Sequence, residues 1–94
     1  MQTVVVSELI PTNGRKSFYG KAKILRNTRN GAQFLRSYDT TMAGCINGKI
    51  HRYSDFKSNT TCSHLKSFFD ACGVDMTTAD FYKLREEEAP ALVI

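Results

Sequence analysis

LRSYDTTMAGCINGKIHRYSDFKSNTTCSHLKSFF, residues 35–69, decides the fold, because within it a β-hairpin pattern gives way to a helical one. Leu35, Ser37, Asp39 and Thr41 fall on one parity and Phe34, Arg36, Tyr38, Thr40 and Met42 on the other. The alternation is imperfect, and a bend is expected at Asp39-Thr40. Apolar Met42, Ala43, Cys45 and Ile46 lead directly into Asn47-Gly48. Asn-Gly between β-prone runs is a strong hairpin signal, since a two-residue type I′ turn needs positive φ at both positions. Lys49 to Tyr53 is then the return strand. Ser58-Asn59-Thr60-Thr61 offers side chains that accept the unpaired amides of a first helical turn. Leu65, Phe68, Phe69 and Cys72 follow at i, i+3, i+4 and i+7, one face of a helix over about 61–72, and Gly73 can end it in the left-handed conformation.

Working outward toward the N-terminus, the β-branched run in Thr3 to Ile10 reads as a strand that Pro11 ends, and Thr12-Asn13-Gly14 as a turn. Ser17 to Leu25 alternates, with Phe18, Gly20, Ala22 and Ile24 on one face and Tyr19, Lys21, Lys23 and Leu25 on the other. Gly20, read as mid-strand, is expected to leave room for a large neighbour. Asn27 to Gly31 supplies a second Asn-Gly turn, and Ala32 to Tyr38 returns. Toward the C-terminus, Thr77 to Asp80 opens a second short helix, about 77–88, with Phe81 and Leu84 inward, Tyr82 a further candidate for that face, and Glu86-Glu87-Glu88 solvated. The apolar end of 89–94 is an edge strand or a flexible tail. The pattern predicts an α+β fold: an antiparallel meander of three to five strands packed by one helix, with the second helix at the C-terminal end.

The 94 residues suit a single domain, and a hydrophobic content of 41% with six Phe and four Tyr suits a folded core. No run approaches the ~20 apolar residues of a membrane span. The start Met1-Gln2-Thr3-Val4 lacks the basic opening of a signal peptide. A soluble, cytoplasmic protein is expected. Cys45, Cys62 and Cys72 are odd in number and lack Cys-x-x-Cys spacing, as befits free thiols in a reducing compartment. The net charge of +4 conceals a division: residues 1–69 carry +8 and residues 70–94 carry −4. Such a dipole suits an anionic partner for the basic part, or attraction within the molecule.

No recognisable catalytic centre is present. Cys62 and His64 with Cys45 or Cys72 make a poor zinc set, because structural sites pair cysteines at two to four intervening residues. A cysteine nucleophile at Cys45 or Cys62 with His51 or His64 as base lacks a third orienting group. Ser58, Thr60 and Thr61 at a helix start could hold a phosphate, although capping alone accounts for them. His64, in the first turn, could reach back to a backbone carbonyl, contact a partner, or orient the Ser37-Tyr38-x-Thr40 bend, and a structural hydrogen bond is expected. The best binding candidate is a basic and aromatic face of Arg15, Lys16, Tyr19, Lys21, Lys23, Arg26, Arg29, Arg36 and Tyr38, where cations would track phosphates and a ring would stack a base. The same residues would also suit a merely solvated sheet face. No cofactor or metal is expected.

The ordered series Ser17-Phe18-Tyr19-Gly20-Lys21-Ala22, Leu35-x-Ser37-Tyr38-x-Thr40, Asn47-Gly48-Lys49 and Ser58-x-Thr60-Thr61-x-x-His64-x-x-x-Phe68 resembles a family of small uncharacterised proteins encoded by bacteriophages and other bacterial mobile elements. The resemblance covers roughly residues 16–72. That family usually carries a tryptophan near the position of Tyr53-Ser54-Asp55, where this chain has none. The resemblance implies a phage-like origin and a small sheet-plus-helix domain, and no activity. The function expected is that of a non-enzymatic accessory protein that binds and modulates a host or defence protein or ribonucleoprotein, in the manner of an anti-CRISPR inhibitor. The alternative is direct nucleic-acid binding, and the third reading is a Cys/His enzyme. A homodimer formed through exposed strand edges or the apolar tail is a further expectation.

Overall fold

The computed structural model describes residues 4–12, 18 and 20–90. Five strands, β1 (Val4–Glu8), β2 (Ala22–Asn27), β3 (Gln33–Ser37), β4 (Thr40–Ile46) and β5 (Lys49–Arg52), form one sheet in the order β1-β2-β3-β4-β5, every neighbour antiparallel. Helix α1 (Asn59–Cys72) and the short α2 (Thr78–Lys83) follow. This is the expected α+β meander. No helix among the described residues is long and apolar enough to cross a membrane.

Turn chemistry sets the meander. Asn47 and Gly48 both have positive φ, 54° and 77°, as a type I′ turn requires. The β2–β3 connection closes through Asn27, whose carbonyl accepts from Gly31 N–H at 3.0 Å and whose Oδ1 accepts from Arg29 N–H at 2.9 Å. Between β3 and β4 the turn is only Tyr38-Asp39, and Tyr38 adopts φ 54°. The imperfect alternation after it has a physical cause: the register shifts beside Leu35 and Arg36, so that Leu35 pairs with Ala43 and Arg36 with Thr41. Met42 is the extra residue, and both it and Ala43 lie fully buried in the core.

The sheet has two apolar faces. Toward the helices, Ala22, Leu35, Met42, Ala43, Cys45 and Ile50 pack with Leu65, Phe68 and Phe69 of α1 and Phe81 of α2. The Phe69 and Phe81 rings lie 5.7 Å apart. Each buried phenylalanine contributes about 1.5–3 kcal/mol through the water it excludes, which makes this layer the main source of stability. The opposite face holds a smaller cluster of Val4, Leu25, Ala32 and Phe34, flanked by Val6, Ile46 and Tyr53.

Gly44 makes that second cluster possible. A Cβ placed on it would stand 2.8 Å from Tyr53 Oη, 2.9 Å from Tyr53 Cε2 and 3.0 Å from Phe34 Cδ1. The ring of Tyr53 lies over a backbone with no side chain in its way. Gly20 does not have the role that the sequence predicts: it sits in a turn at φ 75° ahead of β2, which starts at Ala22.

The helices also differ from the sequence expectation at their ends. α1 begins at Asn59, two residues early, because Ser58 Oγ caps it by accepting from Thr61 N–H at 3.1 Å. α2 stops at Lys83 and not near residue 88. Arg52 explains the early stop. Its Nε and Nη2 donate to the Leu84 carbonyl at 2.9 and 2.7 Å, and Nη1 donates to Glu86 Oε1 at 3.3 Å. The chain after α2 is thereby drawn onto the β5 edge, where Glu87 N–H donates to the Arg52 carbonyl at 2.8 Å. The expected apolar end of the tail, residues 91–94, lies outside the described residues.

Candidate functional site

The motif residues far apart in sequence meet where β3 ends and α1 begins. Ser37 Oγ lies 2.8 Å from His64 Nδ1 and 3.3 Å from Thr61 Oγ1, and Ser58 Oγ donates to Thr61 Oγ1 at 3.1 Å. Ser37, Thr61 and His64 are all buried, at 2%, 0% and 1% exposure. The Phe18 ring meets the His64 ring edge-on at 4.6 Å, and Tyr38 lies 5.9 Å from it. A buried polar group without a partner costs roughly 1–3 kcal/mol, so this chain of hydroxyls and imidazole fixes the first turn of α1 against the end of β3. Thr60 is half-buried in the same first turn, and Asn47 and Gly48 form the type I′ turn between β4 and β5.

Among the described residues, the basic candidates are divided between the two ends of the sheet. Lys23 and Arg36 are cross-strand partners on the face away from the helices, and Lys23 also pairs in register with Glu8. Lys21 lies just before β2 at the same end of the sheet, where its carbonyl accepts from Tyr38 N–H at 2.7 Å. Tyr38 is 47% exposed there. Arg26 and Arg29 lie at or near the opposite end, by the β2–β3 turn. Arg15, Lys16 and Tyr19 lie outside the described residues. Like charges directly opposed across strands destabilise a sheet. The buried Nε of Arg36 has no hydrogen-bond partner among the described residues.

Cys45 lies in the core and Cys72 packs against it. Cys45 is buried, and Cys62 and Cys72 are half-buried. Burial, with Cys45 beside it, pushes the Cys72 thiol up to about 12, so it stays protonated and unreactive at neutral pH. Burial, with Cys62 nearby, likewise pushes the Tyr82 hydroxyl up to about 12. That hydroxyl donates to the Phe56 carbonyl at 2.7 Å. Among the described residues no group of three His, Cys, Asp or Glu is placed to hold a metal.

Sequence reasoning missed a cleft on the β5 edge. Lys49, Ile50 and His51 form one wall and Leu84, Arg85 and Glu87 the other, around a volume of about 320 Å³. Two of these lining residues pair directly, His51 Nδ1 meeting Glu87 Oε2 at 2.7 Å. Burial, then the nearby Glu87 charge, raises the pKa of Tyr53. His51 and Glu87 are 36 positions apart, and Arg52 anchors the intervening turn through a main-chain carbonyl. Neither contact has a local sequence signature.

No curated protein and no solved structure matches this chain. A family defined only as one of unknown function does match it, from residue 7 to residue 83, and so takes in all the elements from β2 to α2 together with the Ser37–His64 network. The chain belongs to this family of unknown function, DUF8033.

Proposed function

We propose that the protein is a small non-enzymatic accessory protein that binds and modulates a host or defence protein complex. The phage-like motif resemblance favours an inhibitor of the anti-CRISPR kind. One observation carries the reading: His64, the histidine best placed for chemistry in the sequence, is 1% exposed and engaged with Ser37 inside the network that joins sheet to helix. The motif thus builds the scaffold, and recognition falls to the charged surface. That surface is two-signed, with Lys21, Lys23, Arg26 and Arg29 exposed on the early strands and turns, and Asp70, Asp75, Asp80 and Glu88 exposed from the end of α1 onward. The test is affinity capture of the tagged protein from host lysate, with and without nuclease, read by mass spectrometry. A specific protein or ribonucleoprotein that survives nuclease is expected. Loss of every specific partner with the nucleic acid would refute this reading.

A second reading, direct nucleic-acid binding, draws on Lys23 and Arg36 as juxtaposed cations and on the exposed Tyr38 ring beside Lys21. It requires affinity for single-stranded oligonucleotides that falls steeply with salt, because each neutralised phosphate releases counterions. Charge reversal at Lys21, Lys23 and Arg36 would then abolish binding, and unchanged binding would remove this reading.

A further inference from the structure

The cleft beside β5 has the features of a peptide site. Its walls are held in advance: Arg52, only 9% exposed, fixes Leu84 and Glu86, and the His51–Glu87 pair fixes the far side. Its volume of about 320 Å³ lies at the small end of the range for ligand sites. Ile50 lines it, yet the Ile50 side chain is buried in the core toward the helices. The main chain of Ile50 is therefore what faces the cleft.

The direction of those main-chain groups follows from the pairing. Tyr53 N–H donates to the Met42 carbonyl, so the main-chain groups of Tyr53, His51 and Lys49 point toward β4. Those of Ile50 and Arg52 point outward by alternation. The Arg52 carbonyl already accepts from Glu87 N–H on that outer edge. Ile50 presents the next N–H and C=O along the same edge. Among the described charged residues that line the cleft, two cations lack an acidic partner. Glu87 is engaged with His51 and Glu86 with Arg52, whereas exposed Lys49 and Arg85 have no ion pair among the described residues.

We propose that this cleft receives a short acidic segment of a partner protein, extended against Ile50, with its carboxylates between Lys49 and Arg85. Edge-strand addition supplies the main-chain hydrogen bonds, and the two cations supply selectivity for acidic side chains. The proposal rests on the reading of the protein as a protein-binding accessory and names the surface it uses.

The test is a titration of the ¹⁵N-labelled full chain with the capped peptide Thr-Glu-Thr-Glu-Thr-Glu, its Gln-for-Glu counterpart, and acetate alone. Amide shifts confined to Lys49–His51 and Leu84–Glu87 are expected with the acidic peptide, and the double variant Lys49→Gln/Arg85→Gln should bind about tenfold or more weakly. Both substitutions are at exposed positions, and the amide spectrum itself reports that the variant is folded. Three results would each overturn the proposal: no shifts at the cleft, equal binding of the neutral peptide, or the same shifts from acetate at equal concentration, which would leave a small-anion site only. Lysate capture separates the two levels. A nuclease-resistant partner held equally by wild type and double variant sinks the cleft and keeps the accessory reading, whereas no such partner for wild type sinks the reading itself.

Discussion

Single atoms decide several of the contacts that hold the molecule together. At Gly44, one added methyl would overlap Tyr53 and crowd Phe34. Gly44→Ala is expected to destabilise by about 1–3 kcal/mol as the Tyr53 ring is displaced. Truncating the ring as well, in Gly44→Ala/Tyr53→Ala, should cost less than the two single losses combined. Denaturant midpoints of the three variants test this, and additive losses would show that the two residues do not compete for space. Around His64 the expectation is coupling of the same sign from a different cause, a shared hydrogen bond in place of a shared space. Ser37→Ala and His64→Ala each break the 2.8 Å contact within the core, so each should lower stability by about 1–3 kcal/mol. The double variant should lose little more than His64→Ala alone.

At the scale of elements, caps and turns were readable because their chemistry is local. Asn47-Gly48, Asn30-Gly31 and Ser58 each act on backbone groups within four positions of themselves, and the structure uses all three in or beside the turns and the helix start that they signal. Ser58→Ala removes the cap of α1 and a donor to Thr61. It should cost about 1 kcal/mol and fray the first turn, which amide exchange at Asn59–Thr61 would register as faster exchange; an unchanged rate would mean that the Ser37–His64 network alone secures the helix start. What sequence could not supply were elements set by distant partners. Arg52 looks like any strand cation in sequence, yet it ends α2 early by binding the Leu84 carbonyl 32 positions away. The bulge at Met42, the slot over Gly44 and the β5 cleft have the same origin. For the candidate face, residue type was legible and position was not: the turn between Asn27 and Ala32 carries Arg29 away from the end of the sheet that holds Lys21 and Tyr38.

At the scale of the whole molecule, stability responds to alkaline pH in a direction fixed by two groups. Cys72 is raised from 9.0 and Tyr82 from 10.0, each to about 12, with burial the first cause. The unfolded chain releases these protons at lower pH than the folded one. Their contribution to stability is thus fully present below pH 9.0, and is lost as pH rises from there through about 12. The melting temperature should fall over that interval, and less in Cys72→Ala/Tyr82→Phe than in wild type; parallel curves would assign the alkaline limit to other groups.

In the function proposed above, two kinds of residue have separate jobs: buried polar groups join sheet to helix, and surface charge is proposed to serve recognition. The most direct measurement of that division is capture of the nuclease-resistant partner by wild type, by His64→Gln and by the charge variants Lys49→Gln/Arg85→Gln and Lys23→Glu/Arg36→Glu. It is made at a temperature where all four proteins are folded. His64→Gln, although less stable, should capture as wild type does, while at least one charge variant should lose capture. Loss of capture in folded His64→Gln, with both charge variants unaffected, would contradict it and make the buried network itself the functional site.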